Sequence, residues 1–224
     1  MRTRTTVLLG VGAAVVVLGG AAVAFGPGLY ADWSEDRAAA APTLDAGTGS
    51  TLDAAGLDGT WDVGAGSFAG YRLDEILRGE DVTVTGRTED VTGSVTLADG
   101  SLTDAEVVVD MTTVATDVPN RDAYFRDTAI QVAEHPTATF VLTEPVEVPD
   151  AAGAVELTGD LTVRGVTQPV TVDAQIGAEG DDVQVVGEVP ITFADFGVEA
   201  PSLGFVEVED TGSVEFSLAL TRAS

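Results

Sequence analysis

The sequence lacks cysteine and lysine, and it has one histidine, His135, among 224 residues. Without cysteine there can be no disulfides, no zinc or iron–sulfur sites built on thiolates, and no cysteine nucleophile. Without lysine, Schiff-base chemistry and phosphate binding by a P-loop are also excluded. A single histidine cannot form a multi-histidine metal centre. We therefore expect no enzyme, no cofactor and no metal site.

Positive charge is also scarce. The chain has 10 basic residues against 37 acidic ones, a formal net charge of -27. All ten are arginines, and they are scattered from Arg2 to Arg222 rather than clustered. A protein that binds nucleic acid neutralises phosphates with grouped basic side chains, so we expect no nucleic-acid partner.

The N-terminus carries the one long hydrophobic run. Val7–Phe25 is free of charge and follows Arg2 and Arg4; as a helix it would be about 28 Å long, close to the thickness of a bilayer core. The flanking charges predict a single span with the N-terminus in the cytoplasm. The small residues at Ala22–Ala24 also fit a cleavable signal peptide. Residues 1–30 are thus predicted to be a membrane anchor or a signal peptide. Either one places the remainder outside the cytoplasm, tethered to the membrane or secreted or periplasmic.

Two further regions follow from composition. Residues 31–57 are rich in alanine, glycine, threonine and aspartate without a sustained period, which predicts a flexible linker. Residues 58–224 form the predicted folded domain.

The folded domain shows strand periodicity almost throughout. Apolar residues alternate with polar ones in runs near 60–63, 68–73, 82–87, 91–97, 102–111, 155–163, 170–176, 183–193 and 214–220. Such alternation is typical of half-buried antiparallel strands. Asp99-Gly100 and Arg164-Gly165 are turn signals between runs. About eight strands in this length predict an all-β barrel or sandwich.

The segment 118–135 lacks this alternation. Pro119 and Asn120 can start a helix, Asp122 would lie near its positive end, and Pro136 ends the segment. We expect a short helix across one end of the barrel.

Four motifs together resemble the YceI-like family. They are Arg121-Asp122-x-x-Phe125, the run from His135 to Phe140, the run from Gly159 to Val170, and Asp195-Phe196-Gly197-Val198. Their order and spacing fit over residues 58–222. The resemblance implies a lipocalin-like, antiparallel eight-stranded β-barrel with an apolar pocket for polyisoprenoid or similar amphiphilic chains.

This interpretation gives a set of candidate ligand-binding residues, which are the larger apolar and aromatic side chains of the runs: Phe68, Tyr71, Val84, Leu97, Val109, Phe125, Phe140, Leu142, Leu161, Val163, Phe193, Phe205 and Phe216. Possible headgroup contacts are Arg72, Arg121, Tyr124 and Arg126, near the crossing segment or the barrel mouth. The expected function is an extracytoplasmic, membrane-tethered protein that sequesters or carries a polyisoprenoid or other long-chain lipid.

Alternatives remain open at this point. The same apolar faces would suit a filled barrel with a structural or protein-interaction role in the cell envelope, and a homodimer is a possible assembly. The acidic pairs at Asp181-Asp182 and around Glu207 and Glu209 could instead serve a hydrolase. Cavity volume separates a lipid carrier from a filled barrel.

Overall fold

The computed structural model describes residue 34 and residues 37–45, 54–179, 182–202, 204 and 206–223. The β-strands are β1 Gly59–Val63, β2 Phe68–Leu77, β3 Glu80–Thr88, β4 Val91–Ala98, β5 Ser101–Asp110, β6 Thr137–Leu142, β7 Val146–Glu147, β8 Gly153–Val163, β9 Val166–Glu179, β10 Asp182–Thr192 and β11 Val206–Arg222. The α-helix α1, Pro119–Tyr124, runs into a π-helical turn at Phe125–Ala129. Short 3₁₀ turns cover Ala54–Leu57 and Phe193–Phe196.

Eight strands close into an antiparallel barrel. Their order is β1-β4-β5-β6-β8-β9-β10-β11, and β11 returns to β1, with Trp61 opposite Arg222. The long strand β11 also pairs with β2, which in turn pairs with β3. The predicted eight-stranded antiparallel barrel is confirmed. Closure of the barrel leaves few unpaired strand edges. The edge strands of an open sheet would be available to pair with other chains.

Tight hairpins connect several neighbouring strands. Asp99 and Gly100 join β4 to β5, and Arg164 and Gly165 join β8 to β9; all four residues have positive φ. Two consecutive residues in the left-handed conformation form a type I′ turn, whose twist matches that of paired antiparallel strands. Glycine adopts this conformation at no steric cost. The two turn signals in the sequence therefore lie where they were expected.

Side chains alternate between the two faces of the barrel wall as the sequence indicates. In β8, every second residue from Leu157 to Val163 is buried, and the residues between them are partly exposed. The inward side chains of the closed strands form one hydrophobic cluster.

The crossing segment lies at one end of the barrel. α1 begins at Pro119, as predicted, and the Asp122 carboxylate accepts hydrogen bonds from the backbone N–H and the hydroxyl of Thr116 at 2.8 and 2.7 Å. Just before this segment, Ala115 pairs with Arg87 of β3 and so attaches the chain to the edge of that strand. The predicted short helix at one end of the barrel is confirmed.

Part of the predicted linker lies against the outer wall. The backbone N–H of Ala39 donates to the Thr85 hydroxyl at 2.9 Å, and the Ala39 carbonyl accepts from Arg72. Further along, the N–H of Asp45 donates to the side-chain oxygen of Gln184 at 2.8 Å. Residues 37–45 thus cross the outside of the barrel from β3 to β10.

The predicted N-terminal anchor or signal peptide, residues 1–30, lies outside the described residues. Within the described part of the chain, no helix is long and apolar enough to cross a membrane.

Candidate functional site: an apolar cavity with one polar end

The barrel encloses a cavity of about 320 Å³. Every one of the eight closing strands contributes apolar side chains to its wall, and residues of α1 and the π-helical turn line one end. Pockets that bind small molecules span roughly 300–1,000 Å³ and are mostly apolar. The interior is therefore hollow rather than filled, and its wall is apolar.

Ten of the thirteen candidate ligand-binding residues line this cavity. They are Tyr71, Val84, Leu97, Val109, Phe125, Phe140, Leu161, Val163, Phe193 and Phe216. Phe205 lies outside the described residues. The other two, Phe68 and Leu142, are not part of the lining.

Strand geometry explains the position of Phe68. It lies three residues before Tyr71 on β2, and an odd separation along a strand places two side chains on opposite faces. Because Tyr71 points inward, Phe68 points outward, where the Arg87 guanidinium lies 4.4 Å from the centre of its ring. Leu142 is buried in the hydrophobic cluster but does not reach the cavity.

Sequence reasoning missed many lining residues on the same strand faces, among them Trp61, Leu157, Val172, Ile176, Val183, Leu218 and Leu220. All of them belong to alternating runs already visible in the sequence. Taking the whole inward face of each run, rather than its larger side chains, would have found them.

Glycines in the wall make room for the aromatic rings of the lining. A Cβ atom added at Gly86 would lie 2.5 Å from the Tyr71 ring, and one added at Gly159 would lie 2.4 Å from the Phe140 ring. Such an atom at Gly187 would lie 2.8 Å from the Phe216 ring. These rings occupy the space that a side chain at the glycine would fill, and the centre of the barrel stays open.

One end of the cavity carries the polar groups. Arg121 of α1 is 9% exposed, and its Nη1 donates to Oδ1 of Asp117 at 2.7 Å. Its Nη2 lies 3.7 Å from Oε1 of Glu75, a buried residue of β2 that also lines the cavity. Nη2 is buried and has no hydrogen-bond partner among the described residues. Glu75 was missed because its neighbours on the strand gave no signal for a buried acid.

The four predicted headgroup residues divide into two pairs. Arg121 and Tyr124 line the cavity, whereas Arg72 and Arg126 do not. Arg72 directly follows the inward-pointing Tyr71, so its side chain points outward and forms an ion pair with Glu215. Arg72 and Arg126 are therefore not placed to contact a ligand in the cavity.

Burial changes the acid–base behaviour of this polar end. It raises the pKa of Glu75, an effect that the nearby Arg121 partly offsets. Burial likewise raises the pKa of the Tyr71 hydroxyl above the usual range of a tyrosine. For Tyr124, burial and then the charge of Glu199 raise the pKa. The Tyr71 ring also stacks on Phe125, with centroids 5.2 Å apart.

The part of the chain that the structure describes has no cluster of metal-ligating side chains beside the cavity. Within the described ranges, no group of three or more histidine, aspartate or glutamate side chains could hold a metal ion. The ring of His135 lies close to Gly165, where an added Cβ would be 2.8 Å from it. The polar groups of the cavity can donate and accept hydrogen bonds, and they suit recognition of a ligand.

Known proteins share this fold. A structure described as a polyisoprenoid binding domain from Saccharophagus degradans, implicated in plant cell wall breakdown, superposes with a TM-score of 0.58 at 20% identity, covering 73% of this chain and 98% of that one. BcnA of Burkholderia cenocepacia gives a TM-score of 0.55 at 19% identity, with 66% and 95% covered. At these identities the likeness establishes the fold alone.

Sequence similarity extends to curated bacterial proteins. A UPF0312 protein of Pseudomonas aeruginosa is 32% identical over 123 residues, which are 51% of this chain and 63% of that protein. The chain thus spans less than two thirds of that relative's length. Protein YceI of Escherichia coli O157:H7 is 38% identical over 77 residues, 34% of this chain and 39% of that protein. The model of the YceI-like domain matches residues 64–220, which include the whole barrel except its first strand and last residues. This chain belongs to the YceI-like family.

Proposed function

We propose that this protein binds the long apolar chain of a polyisoprenoid or similar lipid inside its barrel and thereby shields it from water. The observation that carries the proposal is the open cavity of about 320 Å³ with an almost entirely apolar wall. Burying one methylene group is worth about 0.8 kcal/mol, so a chain of many such groups binds tightly with little polar recognition. The domain of S. degradans with the same fold, described as polyisoprenoid binding, supports this choice of ligand.

The cavity also weighs against the filled-barrel alternative. Protein interiors are packed to the density of organic crystals, and voids larger than a water molecule are few. A barrel whose only role was structural would be expected to fill this volume with side chains. Here glycines under the aromatic rings keep it open.

We further propose that the barrel works outside the cytoplasm, close to the membrane that supplies its ligand. The uncharged run Val7–Phe25 supports a membrane anchor. The first contact of the linker segment with the barrel is made by Ala39, fourteen residues beyond Phe25. Even a fully extended chain of this length reaches only about 50 Å. An uncleaved anchor would then hold the barrel within roughly one bilayer thickness of the surface.

Native mass spectrometry tests the binding proposal. The full chain, purified from its own membranes in mild detergent, should carry an added mass that dissociates as a prenyl-chain lipid. Repeated recovery of a ligand-free protein, together with no binding of added prenyl lipids, would overturn the proposal.

Trp61 offers a second, independent measurement. It is 2% exposed and lines the cavity, and the only other tryptophan is Trp33. In a Trp33→Phe variant, the emission of Trp61 should change as geranylgeraniol, a C20 isoprenoid alcohol, is added. The variant Trp61→Phe serves as the control and should give no saturable change.

A further inference from the structure

The backbone ladder between β9 and β10 stops before either strand ends. Its last pair is Asp173 with Glu188, although β9 begins seven residues earlier and β10 continues four residues further. Pro190 lies two residues beyond Glu188, and proline has no N–H to donate to a ladder. Residues 166–172 of β9 and 189–192 of β10, all of which the structure describes, therefore form a seam in the barrel wall without paired backbones.

A short turn lies at this seam. The 3₁₀ turn Phe193–Phe196, here called the plug, follows β10 directly, and both of its phenylalanines line the cavity. Within the described residues, one hydrogen bond joins the plug to β9, from the side-chain amide of Gln168 to the carbonyl oxygen of Asp195 at 2.8 Å. Gly197 ends the plug in the left-handed conformation. Elements with few hydrogen bonds to their surroundings open at low cost, so the plug is suited to move.

A groove on the outer wall meets the cavity at the seam. Its lining includes residues 168–171 of β9, residues 190–192 of β10 and Phe196 of the plug. Three apolar residues, Leu73, Ile191 and Phe196, line both the groove and the cavity. Apolar side chains, rather than a hydrogen-bonded ladder, therefore separate the two spaces here.

The two ends of the barrel are held more firmly than the seam. At the end crossed by α1, the Tyr71 ring of β2 stacks on Phe125 of the π-helical turn. At the other end, Leu57 lines the cavity and its carbonyl accepts a hydrogen bond from the indole N–H of Trp61. The Arg222 guanidinium lies 4.6 Å from the centre of the Trp61 ring. Opening either end would break aromatic contacts between separate elements, whereas opening the seam breaks one hydrogen bond and apolar contacts.

We propose that the lipid enters and leaves the barrel sideways, through the seam, when the plug moves away from β9. This inference rests on the proposed function and adds the route by which the ligand reaches the cavity. A lateral opening admits a long chain along its length, so that the chain need not thread past a covered end. When the closed form predominates both with and without ligand, such a gate sets the rates of binding and release and leaves the affinity unchanged.

The test measures release and affinity with the same signal. Trp61 lines the cavity, so its fluorescence reports occupancy in the full-length Trp33→Phe protein. The protein is loaded with geranylgeraniol and mixed with an excess of phospholipid vesicles, which trap the lipid that leaves. The decay of the signal gives the release rate, and a separate titration gives Kd. A gate changes the rates of release and association by the same factor.

Two variants change the seam in opposite directions. Gln168→Ala removes the hydrogen bond to the plug and should speed release about two- to tenfold, the range that one hydrogen bond is worth. Pro190→Thr supplies the N–H that the ladder lacks, and it should slow release by about threefold. Both variants should leave Kd nearly unchanged. Gln175→Ala is the matched control, because it makes the same substitution at an exposed position of β9 that is paired with β10, and it should leave the release rate unchanged.

The outcomes separate the route from the function on which it rests. Release rates that are unchanged in both seam variants would overturn the proposed route. A change of Kd in Gln168→Ala at a constant association rate would mean that this side chain contacts the ligand, and the route would again be wrong. Equal acceleration by Gln175→Ala would indicate a general loosening of the barrel and would also contradict it. In these three cases geranylgeraniol still binds and the proposed function stands; if it does not bind at all, both proposals fail.

Discussion

Gly86→Ala should narrow the cavity by moving a single aromatic ring. Gly86 lies opposite Tyr71 in the pairing of β3 with β2. The three atoms nearest to an added Cβ all belong to the Tyr71 side chain: Cε1 at 2.5 Å, Cζ at 2.8 Å and the hydroxyl oxygen at 3.0 Å. The backbone wall lies on one side of the ring and the cavity on the other, so we expect the ring to move toward the cavity.

The size of the effect follows from these distances. Non-bonded carbon atoms make favourable contacts at about 3.5–4.0 Å, so the ring must retreat by roughly 1 Å. Such a movement takes the room of about one or two methylene groups of a bound chain. Each group expelled costs ~0.8 kcal/mol, about fourfold in Kd, which gives a loss of roughly four- to fifteenfold. The overpacking itself costs about 1–3 kcal/mol of stability, and the better strand propensity of alanine offsets up to ~1 kcal/mol of it.

The assay is the titration of Trp61 fluorescence with geranylgeraniol in the Trp33→Phe background. Gly153→Ala is the matched control, because an added Cβ there has its nearest neighbour at 3.7 Å and should leave Kd unchanged. In a Tyr71→Leu background, Gly86→Ala should lose its effect, since the ring with which it clashes is gone. An unchanged Kd for folded Gly86→Ala would refute the idea that this glycine keeps the cavity open.

Three further predictions concern charge and size. First, burial raises the pKa of Glu75, so its ionisation costs stability as the pH rises above the usual range of a glutamate. Urea unfolding should therefore show that Glu75→Gln is more stabilising at pH 8 than at pH 4. A difference in the free energy of unfolding between the variant and the unmodified protein that does not vary with pH would contradict this. Second, Glu215→Gln should lower the free energy of unfolding by about 2 kcal/mol, because Glu215 is fully buried against Arg72 and Arg87. The same variant should speed proteolysis within residues 37–45, because backbone carbonyls of this segment accept hydrogen bonds from both arginines. Equal cleavage rates in the variant and the unmodified protein would contradict a role of Glu215 in holding the segment through these arginines. Third, affinity for isoprenoid alcohols should rise from C10 to C20, as added methylenes enter the cavity; a flat series measured by calorimetry would argue against burial of the chain.

The barrel could be predicted from sequence because each strand carries its own signal. Period-two alternation assigns an inward and an outward face, and hairpin turns such as Asp99-Gly100 join neighbours in order. Closure, by contrast, depends on β11 pairing with β1 across almost the whole chain, at Val63 and Leu220. Local patterns do not specify such a distant pairing, so the prediction of a closed barrel rested on the family resemblance.

The cavity residues were predicted less well, for two different reasons. Phe68 was chosen for its size, and Arg72 was chosen as a polar group near the crossing segment or the barrel mouth. Both lie on the opposite face of β2 from Tyr71, because neither choice considered the face of the strand. The role of Gly86 could not be read from the sequence at all, since it depends on which residue lies across from it on the neighbouring strand. Information of this kind appears only once the register of the strands is known.

Two buried glutamates lie on opposite faces of the barrel wall and differ in how completely arginines pair with them. Glu215 is 0% exposed, and two guanidiniums on the outer face accompany it. Glu75 is 4% exposed on the inner face, and it shares its single arginine with Asp117. A buried ion is costly unless it is fully paired, so the outer site is consistent with a structural role whereas the inner one is not. Locally unfavourable placements of this sort concentrate at functional sites. The incomplete pairing of Glu75 and Arg121, in a cavity otherwise lined by apolar groups, is therefore best explained by a ligand that completes it.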